Sequence, residues 1–245
     1  MADSPTQPSK PSICAIVPAY NEERHISSIL DVLHRSDFLS EIVIVDDGSR
    51  DGTAAILEQV AAQDARFRVI RHDQNMGKGQ AIFTAWAATP APYILLLDAD
   101  LQDMTPLHLS ALIDPIIERR ADMTMGLFYA GHFGTDLSHR LTPFLTGQRG
   151  VRSELLKYVS SEAAAGYGFE VALTIAARQQ GACTLVVPLK GVWHTPSEWR
   201  GERGGYWRGK LWRFRMYGQI LRAWYVATRQ RYPTARAFIS SILKS

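Results

Sequence analysis

The chain has 245 residues, of which 46% are hydrophobic and 21% are charged, and its formal net charge is +3 at pH 7. This balance is typical of a globular protein and excludes a wholly disordered chain or a coiled coil. The two cysteines are too few for a disulfide framework or for a structural zinc site built on cysteine, so we expect a reducing, cytoplasmic setting.

The first hundred residues alternate short apolar runs with amphipathic stretches. Apolar runs of strand length lie at Ile13–Val17, Ile42–Val45, Phe67–Ile70 and Tyr93–Leu97. Apolar residues at helical spacing occupy Glu22–Arg35, Asp51–Gln63 and Lys78–Ala88. This alternation predicts an α/β fold with a mostly parallel central sheet and helices on both faces.

The second half of the chain has a looser pattern. It predicts a helix over Pro106–Arg120, a strand over Asp122–Leu127, a loop over Tyr129–Pro143, helices starting near Ser153 and ending near Gln180, and a last strand over Cys183–Val187. No repeat or linker divides this region. We therefore predict a disordered tail over residues 1–12, one domain over 13–199 and a C-terminal segment over 200–245. The tail lacks the apolar core of a signal peptide, and no apolar run approaches the ~20 residues that cross a bilayer.

Carboxylates follow the strands, where parallel sheets bind ligands. Asp98 and Asp100 are two positions apart at the end of an apolar run, so an extended backbone would point both toward the same side. Two carboxylates placed together repel each other unless a cation lies between them, and oxygen ligands favour Mg²⁺ or Mn²⁺. The alternative is a solvated turn.

Two further segments are weaker signals. Asp46-Asp47-Gly48-Ser49 also ends a strand, and its polar side chains can contact a ligand or only cap the next helix. Asn75-Met76-Gly77-Lys78-Gly79 precedes a helix, where backbone amides and the Lys78 side chain can face a phosphate.

The motifs VPAYNEE, VDDGSRDGT, NMGKGQA and LLLDADLQD together resemble, in order and spacing, the family 2 glycosyltransferases of GT-A fold over about residues 13–195. The resemblance implies a metal-dependent transfer from a nucleotide-diphosphate sugar. It implies that Asp98-Ala99-Asp100 is the DXD element that binds the metal and the donor diphosphate, with Gln102 also reaching the metal. The residues that it implies around the base and ribose of the donor are Pro18, Tyr20, Glu22, Asp46 and Asp47, beside Lys78, which its position before a helix gives as a phosphate candidate.

Thr146-Gly147-Gln148-Arg149 resembles the SGFR segment of polyprenyl-phosphate glycosyltransferases, whose arginine contacts phosphate. Gln148 departs from the aromatic residue of that segment. Arg149 is therefore a candidate catalytic residue, because a guanidinium can bind phosphate in a bidentate way. The alternative for Arg149 is a surface ion pair.

Gly166-Tyr167-Gly168-Phe169-Glu170 and the later His194 resemble the glucosyl-3-phosphoglycerate synthases. In those enzymes the GYG-x-E segment lies by the acceptor and a downstream histidine completes the metal site. Glu170 is thus a candidate for acceptor contact or general base, beside the alternative of a favourable helix-dipole interaction. His194 is a candidate metal ligand, or a histidine packed against a neighbouring tryptophan.

The C-terminal segment is strongly basic. From Arg200 onward eleven Lys/Arg and one acid give +10, whereas the preceding residues carry −7. Gly205–Arg229 is predicted as an amphipathic helix in which aromatic residues alternate with bases, as in helices that lie on anionic membranes. The alternative is that its apolar stripe packs on the sheet. Nucleic-acid binding is not expected, because the acidic remainder would repel phosphate backbones.

These features predict a cytoplasmic glycosyltransferase (peripheral at the inner membrane face) that uses Mg²⁺ or Mn²⁺, with Asp100, Glu170 and Arg149 as catalytic candidates. The preferred acceptor is a membrane lipid, polyprenyl phosphate in particular. A phosphate acceptor is already anionic near neutral pH and needs no strong base. The alternatives are a soluble enzyme for a small phosphorylated or hydroxylated acceptor, and a membrane-surface binding protein on the same scaffold. A homodimer is left open.

Overall fold

The computed structural model describes residues 11–129, 146–164 and 168–194, together with positions 218, 225 and 226. The predicted N-terminal tail, most of the predicted loop Tyr129–Pro143 and most of the predicted helix Gly205–Arg229 lie outside these residues. Of that helix, Gly218, Tyr225 and Val226 are described, and they are helical.

The described chain forms a seven-stranded sheet and a separate two-stranded one. The strands are β1 (Ile13–Ala19), β2 (Glu41–Asp46), β3 (Phe67–Arg71), β4 (Tyr93–Leu96), β5 (Leu101–Gln102), β6 (Met123–Tyr129), β7 (Arg149–Arg152), β8 (Thr184–Lys190) and β9 (Trp193–His194). The helices are α1 (Ile26–His34), α2 (Thr53–Gln63), α3 (Lys78–Ala87), α4 (Pro106–Ile117) and α5 (Phe169–Gln179), with a 3₁₀ helix over Ser153–Tyr158.

The seven strands run in the order β3-β2-β1-β4-β7-β6-β8, and β5 pairs with β9. Strands β1 to β4 run parallel to one another and β8 runs parallel to β6, whereas β7 is antiparallel to both β4 and β6. The predicted α/β fold with a mostly parallel sheet is therefore confirmed. The antiparallel β7 was not predicted, and the helix expected from Ser153 is a short 3₁₀ turn.

Two apolar clusters cover the two faces of the sheet. One contains buried residues of α1, α2 and α4, and the other contains those of α3, α5 and the 3₁₀ helix. Near-continuous apolar strands such as Ile42–Val45 are buried on both faces, which is why they do not alternate with polar residues. Val226 packs against the second cluster, so at least this position of the C-terminal segment contacts the domain.

Among the residues that the structure describes, no helix is both long and apolar enough to traverse a bilayer.

Candidate functional site

The candidate residues lie at the carboxyl ends of neighbouring parallel strands. β1 leads into Tyr20 and Glu22, β2 ends at Asp46, and β4 is followed by Asp98 and Asp100. β1 pairs with both β2 and β4, so these three ends adjoin one another. α3 begins at Lys78 after β3.

A lysine ammonium connects two carboxylates at the centre of this edge. Lys78 Nζ lies 2.5 Å from Asp98 Oδ1 and 2.5 Å from Glu170 Oε1. Asp98 follows β4, whereas Glu170 is in the first turn of α5, where the helix dipole also favours a negative charge. The structure thus brings together three candidates that come from the donor, metal and acceptor parts of the prediction.

The ionisation of Lys78 is set by opposing effects. Burial favours the neutral amine, but the two carboxylates favour the ammonium more strongly and hold the pKa of Lys78 well above its usual range. Lys78 therefore carries its charge at every physiological pH. It is suited to neutralise an anionic group rather than to act as a base.

The segment before β7 holds the other side of Asp98. Gln148 Nε2 donates to Asp98 Oδ2 at 2.7 Å, and the Gln148 side chain in turn lies 2.9 Å from the Thr146 hydroxyl. A Cβ on Gly147 would overlap the Asp98 carboxylate. The residue that departs from the SGFR pattern, Gln148, thus orients Asp98.

Arg149 is completely buried. Its Nε donates to the Thr146 carbonyl at 2.9 Å and its Nη1 donates to the Thr174 hydroxyl at 2.9 Å. Burial lowers the pKa of Arg149 to about 10, although Glu170 and Asp98 act in the opposite direction. Arg149 remains charged at neutral pH and supplies a positive charge beneath the two carboxylates. Its predicted phosphate contact remains a prediction.

The two-stranded sheet places the residues that follow the DXD segment beside β9. Leu101 pairs with His194 and Gln102 with Trp193, so the backbone of His194 lies beside the residue that follows Asp100. Asp100 is 7% exposed. The Gln102 amide nitrogen lies 3.4 Å from the Asp100 carbonyl.

The predicted metal ligands agree in chemistry with a hard cation, because two carboxylates and a histidine belong to segments that meet. Among the described side chains no group of three His, Cys, Asp or Glu residues forms a complete site. The side chain of His194 lies outside the described residues. The two carboxylates of the DXD segment are of the type that Mg²⁺ or Mn²⁺ prefers, and strand pairing brings the backbone of His194 beside the end of that segment.

The neighbouring aspartates at the end of β2 have different surroundings. Asp46 Oδ1 accepts from the Ser49 amide at 2.9 Å, while Oδ2 lies 3.4 Å from Arg71 Nε and accepts no hydrogen bond from any described residue. Asp47 accepts the amides of Met76 and Gly77, each at 2.8 Å. Asp46 thus retains a buried acceptor for a ligand, whereas both oxygens of Asp47 are used within the protein.

The remaining donor candidates line the ends of β1 and β4. Tyr20 is 42% exposed, whereas Glu22 is buried, with its amide donating to Thr53 and its carboxylate 3.2 Å from His25 Nδ1. Pro18 belongs to β1. Ala99, which separates Asp98 from Asp100 in the sequence, is buried.

Two contributors were missed from the sequence. The motif comparison identifies Gln148 only as a departure from the SGFR pattern, and His72, which contacts Asp47, has no motif around it. A hydrogen-bonding role for Gln148 was detectable from its place beside Arg149. Nothing local to His72 indicated its partner, because Asp47 is 25 positions away.

A family comparison gives the class of the chain. A sequence model described as "Glycosyl transferase family 2" matches residues 14–172, which include β1 from its second residue and every strand from β2 to β7. The chain belongs to glycosyl transferase family 2.

Two relatives have lipid-linked substrates in their names. The dolichyl-phosphate beta-glucosyltransferase ALG5C of Trichomonas vaginalis is 34% identical over 38% of this chain and 30% of its own length. The polyprenol monophosphomannose synthase of Mycolicibacterium smegmatis is 28% identical over 71% of this chain and 75% of its own length. The chain thus spans less than a third of the first of these relatives.

The fold matches that of a solved enzyme. Glucosyl-3-phosphoglycerate synthase from Mycobacterium tuberculosis, in complex with Mn²⁺ and uridine-diphosphate-glucose, superimposes with a TM-score of 0.62 at 26% identity, covering 78% of this chain and 74% of that one. Its complex with phosphoglyceric acid gives a TM-score of 0.66 at 24% identity, covering 89% and 80%.

Proposed function

We propose that this protein is a metal-dependent glycosyltransferase that takes a sugar from a nucleotide-diphosphate donor and transfers it to a lipid phosphate. Membership of glycosyl transferase family 2 supports the reaction type. The observation that carries the proposal is the ion-paired group of Lys78, Asp98 and Glu170 at the carboxyl edge of the sheet.

The donor would lie along the ends of β1, β2 and β4. The unsatisfied Oδ2 of Asp46 is a buried acceptor, which suits an N–H of a base. The exposed ring of Tyr20 borders the same edge and offers a flat apolar surface. Lys78 would place its ammonium against the diphosphate, which gains negative charge as the sugar departs.

Asp98, Asp100 and His194 would hold Mg²⁺ or Mn²⁺, with Gln102 beside them. The bound ion would neutralise the charge of the leaving nucleoside diphosphate. Lys78 and Gln148 each donate one hydrogen bond to a different oxygen of Asp98, and each of these oxygens keeps a second lone pair that would face the ion. The solved synthase with Mn²⁺ and uridine-diphosphate-glucose supports this choice of ion.

The ion pair at Glu170 favours a phosphate acceptor. The Glu170 carboxylate lies 2.5 Å from the Lys78 ammonium, so this contact would have to break before Glu170 could face the hydroxyl of an acceptor. A hydroxyl acceptor that attacks directly needs its proton removed, whereas a phosphate monoester is already anionic near neutral pH. Glu170 would then orient Lys78 and the acceptor rather than deprotonate it.

The basic C-terminal segment supports an acceptor in a membrane. Its charge of +10 would attract it to anionic headgroups, while the lipid-linked substrates in the names of two relatives point the same way.

A soluble, small-molecule acceptor is the second candidate. The superposition on glucosyl-3-phosphoglycerate synthase favours it, as does the pairing of Leu101 with His194, which brings the downstream histidine to the DXD segment. A protein that only binds membranes on this scaffold would not need the ion pair between Lys78 and Asp98.

Transfer assays separate these functions. The purified protein with Mn²⁺ would first be screened against nucleotide sugars by thermal shift, since a ligand that binds the native state raises its apparent stability. The best donor would then be offered polyprenyl phosphate in detergent or 3-phosphoglycerate, with products identified by mass spectrometry. We expect glycosylated polyprenyl phosphate. Product from 3-phosphoglycerate alone would favour the second candidate, and no donor binding at all would reject both.

A further inference from the structure

The His72 side chain contacts the segment after β2 and the helix α3, which begins at Lys78. Its Nδ1 lies 2.7 Å from Asp47 Oδ1, and its Nε2 lies 3.0 Å from the Thr84 hydroxyl. The side chain is only 9% exposed. His72 follows β3, and its amide donates to the Asp46 carbonyl at 2.9 Å. The imidazole therefore links the end of β2 to α3.

The donor and acceptor roles of the ring follow from these partners. A carboxylate accepts, so Nδ1 carries the proton that it donates to Asp47. Nε2, on the other side of the ring, makes a hydrogen bond with the Thr84 hydroxyl, which can accept or donate. Both ring nitrogens have partners, which fixes the orientation of the ring.

Asp47 holds the loop directly before Lys78. One oxygen accepts the Met76 amide as well as the His72 bond, and the other accepts the Gly77 amide. Gly77 has φ +91° and immediately precedes α3, so its amide cannot be satisfied within that helix.

Close packing behind the loop leaves it little room to shift. A Cβ on Gly48 would lie 2.6 Å from the Gln74 carbonyl carbon, so the turn after Asp47 lies directly against the loop. Thr84, six positions after Lys78 on α3, is fixed through the same histidine. Both flanks of Lys78 are thus connected to Asp47.

We propose that Asp47 and His72 are positioning residues that set the start of α3, so that the Lys78 ammonium reaches Asp98 and the donor diphosphate. This inference rests on the proposed function, in which Lys78 contacts that diphosphate. Asp47 would thus have a different role from Asp46, whose buried oxygen is available to the nucleobase of the donor. Asp47 would contribute to donor binding without touching the donor.

A double-mutant cycle tests the coupling between His72 and Lys78. UDP and GDP, each with Mn²⁺, serve as probes, and the affinity of the tighter one is measured for His72→Leu, Lys78→Met and the double variant. We expect His72→Leu to weaken binding about tenfold in the parent and to have no further effect once Lys78 is replaced, since residues that act through one another are not additive. His72→Asn keeps a donor toward Asp47 and should retain affinity within about threefold.

Amide exchange at Met76 and Gly77 provides a readout that does not depend on ligand. Both amides should exchange faster in His72→Leu and Asp47→Asn, and at the parent rate in Lys78→Met. His34→Leu, which removes an exposed histidine paired with Asp64, is the matched control and should change neither exchange nor affinity. If His72→Leu does not fold, Thr84→Val removes only the Nε2 contact.

The outcomes separate this inference from the proposed function. Additive losses in the cycle, or unchanged exchange at Met76 and Gly77, would overturn the positioning role. Parent-like nucleotide affinity in Lys78→Met would instead reject the proposed contact between Lys78 and diphosphate. In that case, faster exchange in His72→Leu would still support the part of the inference that concerns the loop.

Discussion

Lys78 and Glu170 are 92 positions apart in the chain, and their charged groups meet at 2.5 Å. The contact connects the first turn of α3 to the first turn of α5, across the end of β4 where Asp98 lies. It joins a residue predicted for the donor to one predicted for the acceptor. Lys78 therefore lies between the proposed donor site and the proposed acceptor site.

Replacing Asp100 by alanine should remove most of the metal dependence of nucleotide binding. Replacing a residue that only hydrogen-bonds to a metal ligand typically lowers metal affinity about 10- to 100-fold. Loss of a ligand itself should therefore lower it by at least about 100-fold. Calorimetry with UDP or GDP, with and without Mn²⁺, measures the effect. Asp31→Ala, at an exposed position of α1, is the control. Unchanged metal dependence in Asp100→Ala would reject the assignment.

Gly147→Ala should displace the Asp98 carboxylate without straining the backbone. The new Cβ would overlap both carboxylate oxygens, while φ at this glycine is not in the left-handed region. We expect nucleotide affinity in the presence of Mn²⁺ to fall about tenfold or more, a cost of about 1.4 kcal/mol. Gly218→Ala, whose Cβ would meet nothing within 4 Å, should bind as the parent does.

Arg149→Gln should lower the stability of the fold. The substitution leaves the Thr146 carbonyl and the Thr174 hydroxyl without their charged donor, and bonds of this kind contribute about 1.5–3 kcal/mol. Urea denaturation measures the free energy of unfolding, with the exposed Arg68→Gln as control. Unchanged stability with much weaker diphosphate binding would instead identify Arg149 as the phosphate ligand of the original prediction.

The two cysteines should differ sharply in reactivity. Burial raises the pKa of the Cys14 thiol to about 12, so almost none of it is thiolate between pH 7 and 9, whereas Cys183 is exposed. A thiol reagent should label one cysteine per native chain and two after unfolding. Cys183→Ser should abolish the rapid labelling of the native protein. Rapid labelling of two thiols in the native protein would contradict the burial of β1.

Replacing Arg208, Arg213 and Arg215 by glutamine should weaken binding to anionic vesicles. Each base near an anionic surface contributes about 1 kcal/mol, so three should change affinity on the order of 100-fold. Co-sedimentation at low and high salt measures this effect, since the Debye screening length shortens from about 10 Å at 0.1 M salt to about 3 Å at 1 M. The exposed bases Arg24, Arg50 and Arg68, replaced together, form the matched control. Equal binding to neutral and anionic vesicles would reject the electrostatic attraction.

Local patterns determined much of this protein. Strands β1, β2 and β4 are buried, near-continuous apolar runs, whereas β3 is a partly exposed edge strand. The helices between these strands have apolar residues at helical spacing, so the parallel α/β order followed from the sequence. The carboxylates after those strands were also recognisable, because parallel strands end at a common edge. Both conclusions depend on residues close together in the chain.

The tertiary structure decided which of those residues contact one another. The antiparallel β7 places Gln148 beside Asp98, which is 50 positions earlier, and the fold brings His72 to Asp47 and Glu170 to Lys78. The burial of Arg149 also depends on the tertiary structure, because β7 pairs with β4 and β6 inside the sheet. No local period encodes such pairings, since strand order and register arise from packing the whole sheet between its helices.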